Sequence, residues 1–268
     1  MQNKNHFNLL DVRINNLSEK EIFKKVKYFL TGEKFCQIAT INPEFILLAQ
    51  KDKSFKKVLN DSDLNIADGF GIKLAFWKSG KNLESRIAGI DLMLEILKIA
   101  SQNKYSVFLA AEKNGLSRWK ETRDAILKIY PNLKINGADL SLQSVIPAQA
   151  GIQKNKQNLI KNLDSRFHGN DINNTSGCQI LFCNFGAPYQ EKFINSLKNG
   201  NIKLAMGVGG SFDFITGKIK RAPLWIRNIG MEWLWRFILE PKYRFKRIFN
   251  SVIVFLWKVM FKKNNSVK

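Results

Sequence analysis

The chain has 268 residues, 45% of them hydrophobic, which suits one large domain or a domain with an appendage built on a packed core. Its 43 Lys and Arg against 22 Asp and Glu give a formal charge of +21, a surplus that asks for an acidic partner: nucleic acid, an anionic membrane or phosphorylated substrates. The three cysteines, Cys36, Cys178 and Cys183, have neither metal-type spacing nor a disulfide framework, which excludes a cysteine-stapled scaffold and fits a reducing cytoplasm.

Met1 to His6 is polar and lacks the apolar core of a signal peptide. Ser18-Glu19-Lys20-Glu21 reads as a capping box that opens a helix to about Leu30. The apolar run Phe35 to Thr40 predicts a buried strand. Asn42 as N-cap, with Pro43 at the first helical position, predicts a helix continuing to about Leu59. Leu64 to Ala67 predicts a strand that ends at Asp68-Gly69-Phe70-Gly71. A helix over Ile90–Ala100, a strand over Tyr105–Ala111, a helix over Ser117–Tyr130 stopped by Pro131, and a strand over Leu133–Asn136 follow. Gln179–Phe185 and Lys203–Met206 read as strands flanking a helix from Tyr189 to Leu197. Strands alternating with helices require crossovers and so a mostly parallel sheet: an α/β, Rossmann-like three-layer core. Ligands of such sheets bind beyond the carboxyl ends of the strands, and Thr40, Asp68, Gly186 and Gly207 all fall there.

Residues 144–177 break the pattern. They are rich in Gln, Asn, Lys and Gly without a period, and the pieces Val145 to Gln153 and Leu163 to Asp171 resemble translated arms of palindromic repeats inserted in bacterial reading frames. This segment reads as an inserted, mobile surface loop within a catalytic core of residues 1–217. His168 lies in it and is not expected to be a ligand. Residues 218–268 form a basic, aromatic-rich helical appendage, with 13 Lys and Arg against two Glu, a net +11. Its most apolar stretch, Ser251 to Phe261, contains Lys258 and is too short to span a bilayer. From Trp233 to Phe261 basic residues alternate with large apolar ones, which suits a helix lying on an anionic leaflet. For Glu232–Arg236 the core and the membrane remain equal alternatives. For Phe249–Phe261 the membrane is favoured, because a terminal apolar tail has little else to pack against.

Taken in order, Thr40-Ile41-Asn42-Pro43-Glu44, Ala67-Asp68-Gly69-Phe70-Gly71, Arg86-Ile87-Ala88-Gly89-Ile90-Asp91, Gly186-Ala187-Pro188-Tyr189-Gln190-Glu191, Gly207-Val208-Gly209-Gly210 with Asp213, Arg221-Ala222-Pro223 and Glu232-Trp233-Leu234-Trp235-Arg236 with Glu240-Pro241 resemble the WecG/TagA/CpsF glycosyltransferase family. The resemblance runs from about Cys36 to Arg247 and implies a GT-E-like core. It also implies inverting transfer of an N-acetylmannosamine-type sugar (ManNAc or ManNAcA) from a UDP donor to polyprenyl-diphosphate-linked GlcNAc. By the same resemblance the enzyme works at the inner face of the plasma membrane, without metal or other cofactor, in cell-surface polysaccharide synthesis.

Under that resemblance Asp68 is the base that takes the acceptor hydroxyl's proton; the plain alternative is a turn aspartate before glycine. Thr40 and Asn42 hydrogen-bond a sugar, or simply cap a helix. Arg86 neutralises leaving-group phosphate, or pairs at the surface with Glu84 or Asp91. Gln190 matches an active-site position, with Glu191 beside it, or both sit in a helix first turn where acids favour the dipole. Gly186, Gly207, Gly209 and Gly210 cradle the donor through bare backbone, and Asp213 holds a ribose hydroxyl; a tight turn is the default for such a loop. Arg221, Arg227, Arg236, Arg244 and Arg247 grip the lipid diphosphate, with Trp233 and Trp235 at headgroup level. A homo-oligomer stays open.

The chain departs from the family pattern at Asn184, commonly glycine, and at Tyr189, commonly lysine; a lysine lost near the cleft weakens phosphate contact or alters the donor. Two other readings compete. One is a membrane-docking relative impaired by the insertion. The other is a basic nucleic-acid-binding protein, which charge alone suggests and for which no binding signature is present.

Overall fold

The computed structural model describes residues 6–142, 178–198, 202–239 and 254–261. The strands are β1 (His6–Leu9), β2 (Val12–Asn15), β3 (Cys36–Ile41), β4 (Leu64–Ala67), β5 (Val107–Glu112), β6 (Ile135–Leu140), β7 (Ile180–Cys183) and β8 (Leu204–Gly207). The helices are α1 (Glu19–Thr31), α2 (Pro43–Lys51), α3 (Lys53–Asn60), α4 (Phe70–Lys78), α5 (Gly89–Asn103), α6 (Trp119–Leu127), α7 (Tyr189–Ser196), α8 (Ser211–Ile215), α9 (Leu224–Ile229), α10 (Glu232–Leu239) and α11 (Phe255–Phe261).

Six strands form one parallel sheet in the order β4-β3-β8-β7-β5-β6. β3, β4, β7 and β8 are buried along their whole length, as expected for strands covered on both faces. One face packs Ile38, Ile66, Leu109, Phe182 and Met206 against α1, α5, α6 and Phe212 of α8. On the other face Ala39, Ile41 and Ala67 meet α2, α3, α4, α11 and the β1–β2 hairpin. Further along that face Phe108, Leu181 and Ala205 pack against Phe193 and Ile194 of α7. The three-layer α/β arrangement expected from the alternating pattern is therefore present.

Helix starts follow the sequence signals. Ser18 and Glu21 close a reciprocal capping box on α1, and Asn42 Oδ1 accepts the Phe45 N–H at 3.0 Å to cap α2. Three differences have physical causes. The helix expected over residues 43–59 is two helices, because Asp52 ends α2 and its carboxylate accepts the Phe55 N–H (2.9 Å) to start α3. Helix α4 was not expected; it begins on Gly69 without a side-chain cap and has no clear apolar stripe. The β1–β2 hairpin was also not expected. Its turn residues Leu10 and Asp11 adopt φ of 50° and 63°, positions where glycine or asparagine is the usual signal. Tertiary bonds support it instead: Gln50 Nε2 donates to Leu10 O, and Asn60 Nδ2 to Asp11 O. The proposed insertion, residues 144–177 with His168, lies outside the described residues. All three cysteines are buried and none forms a disulfide.

Asp52 also receives the Lys192 ammonium of α7 at 2.5 Å, tying two helices across one sheet face. Burial opposes its charge, but the bonds from Lys192, Phe55 and Ser54 hold its carboxyl down from 3.8 to about 2. A native value below the unfolded one means that this stabilisation is complete above roughly pH 4 and is lost as pH falls through 2. Asp52→Ala should cost about 1–2 kcal/mol in urea unfolding at pH 7 and remove part of the acid sensitivity between pH 4 and 2.

Candidate active site

Neighbouring strands β3 and β8 send their chains to opposite faces of the sheet, β3 into α2 and β8 into α8. A crevice must open between such strands at their carboxyl ends. A cleft of about 530 Å³ lies there, lined from β3 by Thr40 and Asn42, from β4 by Asp68, from β7 by Gly186 and Gln190, and from β8 by Gly207, Gly209 and Gly210. Arg86, Met231, Glu232, Trp233 and Phe255 close it from the other side. The expected convergence of the four strand ends on one site is therefore observed.

Asp68 follows β4 directly. Its N–H donates to Ile41 O at 2.8 Å, which extends the sheet pairing by one residue and fixes the half-buried carboxylate at the rim. The chain then turns through Gly69 at φ 84°, and a Cβ on Gly71 would stand 2.6 Å from Pro43 Cγ. Thr40 is buried on the cleft floor, with Oγ1 3.4 Å from where a Cβ on Gly89 would lie. The Asn42 oxygen is committed to capping α2, so its function as a cap is certain and only the rest of its amide is left for a ligand.

Gln190 lines the cleft and also braces it. Its Oε1 accepts the N–H groups of Gly186 (3.1 Å) and Gly209 (3.0 Å), pinning the loops after β7 and β8 together. Its Nε2 donates to Glu191 Oε1 at 2.6 Å. The Gly186 and Gly209 amides are thus turned inward to Gln190, and these residues offer the cleft backbone surface rather than N–H donors. Glu191 is wholly buried, not a solvated first-turn acid. Asp213 is not in the cleft wall; it stands on α8 with Oδ1 buried and without a hydrogen-bond partner.

The arginines divide. Arg86 lines the cleft, and rather than pairing with Glu84 or Asp91 its Nη2 donates to Arg227 O (2.6 Å) and Asn228 O (3.4 Å). Those carbonyls end α9, and Gly230 at φ 79° lets the guanidinium pack against the turn. Arg221 spends all three nitrogens on carboxylates: Nη1 and Nη2 on Asp91 (2.7 and 3.0 Å) and Nε on Glu232 (3.3 Å). In this arrangement it is a strut between α5 and α10, not a free diphosphate ligand. Arg227 does not line the cleft, and its Nε is buried with no hydrogen-bond partner. Trp233 lines the cleft, while Trp235 Nε1 reaches Lys220 O at 3.3 Å. The side chain of Arg236, and Arg244 and Arg247, lie outside the described residues. Asn184, a departure from the family pattern, supports the rim by accepting the Glu112 N–H at 2.6 Å.

Sequence reasoning missed the apolar half of the site. Phe255 of α11 is fully buried among Phe45, Phe55 and Phe76 and lies 3.4 Å from the position of a Cβ on Gly71. The idea that the terminal tail had nothing to pack against is therefore wrong for this residue; the cleft wall is its partner. Trp257, two residues on, is 62% exposed. Among the described residues no group of three or more His, Cys, Asp or Glu is placed to hold a metal ion.

A switch-point cleft at the carboxyl ends of the strands, with a carboxylate on the sheet rim and glycine loops opposite, is the place where open α/β enzymes bind their ligands. The model of the glycosyl transferase WecG/TagA/CpsF family matches residues 7–268, and the chain belongs to that family. It is 31% identical over 224 residues (83% of this chain, 78% of the relative) to the N-acetylglucosaminyldiphosphoundecaprenol N-acetyl-beta-D-mannosaminyltransferase of Bacillus subtilis strain 168. The protein of the same name from Staphylococcus aureus strain MRSA252 is 28% identical over 254 residues, covering 94% of this chain and 91% of its own length. The Bacillus spizizenii W23 protein of that name is 29% identical over 215 residues, 80% of this chain and 75% of its own.

Arg221→Ala would leave the Asp91 and Glu232 carboxylates facing each other without a cation. We expect proteolysis within residues 218–239 to quicken by about tenfold, with Arg221→Lys restoring only part of the protection because an ammonium cannot make the forked bond.

Proposed function

We propose that this chain transfers an N-acetylmannosamine-type sugar from a UDP donor to a polyprenyl-diphosphate-linked GlcNAc, with inversion, while resting on the cytoplasmic face of a membrane. The observation that carries this reading is that Asp68, Arg86 and the glycine loops share one cleft with Met231 and Trp233 of the appendage. Inverting transfer needs the acceptor hydroxyl and the departing nucleotide on opposite sides of one sugar ring. Asp68, on the β4 side, accepts the hydroxyl proton as the new glycosidic bond forms at the anomeric carbon. The sugar–phosphate bond breaks towards the β7–β8 loops, and UDP leaves with the electron pair. Arg86, already oriented by the α9 carbonyls, offers the remainder of its guanidinium to the phosphates. Thr40 on the floor and the Asn42 amide orient the sugars.

The lipid end of the acceptor enters from the appendage side. Trp77, Leu224, Trp225, Ile229, Ile238 and Trp257 are each more than half exposed, at 74, 66, 67, 52, 61 and 62%. They sit on α4, α10 and α11, each of which contributes to the cleft lining, and on α9, which ends at the cleft-lining Gly230. Large apolar side chains beside a strongly basic segment suit an anionic leaflet. Among the described residues no helix is long and apolar enough to cross a membrane. Strand β7 keeps its register with β5 and β8 immediately after the undescribed segment, and the Gly186 loop beyond it is bonded to Gln190; both favour a working site over an impaired one.

Asp68→Asn should lower transfer to a short-chain lipid-diphosphate GlcNAc by at least ~100-fold while UDP binding stays within a few-fold of wild type. Turnover that persists in this variant would refute Asp68 as base, and mass spectrometry over a panel of UDP-sugars identifies the donor. Trp77→Ser combined with Trp257→Ser should weaken association with phosphatidylglycerol vesicles by ~10-fold or more and leave turnover of a water-soluble acceptor intact.

A further inference from the structure

The role of Glu191 is not explained by any step above. It is fully buried at the start of α7, directly beneath the cleft. Its Oε1 receives the Gln190 Nε2 at 2.6 Å, and its Oε2 is buried with no hydrogen-bond partner. Its backbone carbonyl accepts Gln37 Nε2 from β3 at 3.1 Å. A primary amide has two ends that differ only in donor and acceptor character. Gly186 and Gly209 both present N–H groups to Gln190, so only one orientation of its amide, oxygen towards the loops, satisfies them. In that orientation the NH2 faces inward and must find an acceptor. Glu191 is that acceptor. Gly207 makes room for the pair: a Cβ there would lie 2.5 Å from Gln190 Nε2 and 2.6 Å from Glu191 Oε1.

We propose that Glu191 is a positioning residue which, by holding the Gln190 amide in one orientation, locks the Gly186 and Gly209 loops into a single donor-side wall. The assignment of that wall to the donor rests on the reading given under Proposed function; the locking itself does not. Burial pushes the Glu191 carboxyl up from 4.5 to about 8, and the charged group acting on it is another carboxylate, Glu44 of α2. The Cys183 thiol of β7, itself pushed up by burial, also faces it. A neutral carboxylic acid supplies the acceptor oxygen that Gln190 needs, so a glutamine at 191 supplies it equally. The raised native value means that folding favours the protonated acid: this contribution is full below pH 4.5 and is lost as pH rises to 8.

The test compares Glu191→Gln, Glu191→Ala and Gly207→Ala in the full chain. Amide hydrogen exchange is followed in peptides covering residues 183–191 and 206–213, and stability is followed from pH 4.5 to 8. Glu191→Ala and Gly207→Ala should speed exchange in both loops by ~10-fold or more while the β3–β4 peptides stay at the wild-type rate. Glu191→Gln should keep wild-type exchange and flatten the pH dependence of stability. With UDP-sugar, Glu191→Ala should raise the donor KM by ~10-fold with kcat within ~3-fold, and Glu191→Gln should restore it. Unchanged loop exchange in Glu191→Ala, equal acceleration across the whole chain, or a Glu191→Gln variant as loose as Glu191→Ala would each overturn the proposal. A wild-type chain that turns over no UDP-sugar yet shows loop-specific exchange effects would sink the functional reading and leave the lock standing.

Discussion

The parallel pairing of β3 with β8 is the constraint on which the site depends. It joins Cys36 to Leu204 and Ile38 to Met206 across most of the chain. Because β3 is followed by a helix on one face of the sheet and β8 by a helix on the other, no backbone covers the gap between their carboxyl ends. The cleft is what remains. Parts of its lining are held by local devices of modest strength: a capping amide at Asn42, an extended ladder at Asp68, and glycines at 71 and 207, where a Cβ would collide with Pro43 or with Gln190 and Glu191. Small errors in the β3–β8 register would move Thr40 relative to the β8 loop by a whole pleat and exchange its inward and outward faces.

Two polar assemblies above and below the cleft convert this opening into a shaped site. Below, Gln190 and Glu191 tie together the loops of adjacent strands in an interior where a stray polar group is costly. Above, Arg221 and Arg86 bind the appendage to the core, the first through carboxylates at Asp91 and Glu232, the second through the carbonyls that end α9. Arg221 shows how a cationic segment is kept in order: its charge is neutralised within the fold by Asp91 and Glu232. The apolar residues of α9, α10 and α11 split, with Ile226 and Phe255 buried and Trp225 and Trp257 exposed.

Much of this was readable from the chain. Ser18-Glu19-Lys20-Glu21, Asn42-Pro43 and the short apolar runs fix helix starts and strands because capping and burial on both sheet faces act over a few residues. The strand ends at Thr40, Asp68, Gly186 and Gly207 follow from the same runs, and so does their common position on one edge of a parallel sheet. What was not readable depends on partners far away in sequence. The β1–β2 hairpin turns through Leu10 because Gln50 and Asn60 hold its carbonyls. Asp52 caps α3 locally, but the carboxylate that does so is also tied to Lys192 of α7, 140 residues away. Asp213, next to the glycine loop in sequence, is not among the residues that line the cleft. Arg221 looked available for a phosphate until Asp91 and Glu232 were placed beside it.

The sequence alone therefore determined the α/β order, the parallel sheet, the edge where the cleft opens and the basic, aromatic character of the last fifth of the chain. Each of these is set by neighbours within a turn or two, or by composition. Only the tertiary structure decided which polar side chains are spent on the protein itself and which face the cleft. It also decided that Phe255 closes the wall and that Glu191 lies buried beneath it. Several of those outcomes rest on contacts between segments more than a hundred residues apart, such as Arg221 with Asp91, Arg86 with Arg227 and Gln37 with Glu191, and pattern along the chain carries no record of such distances.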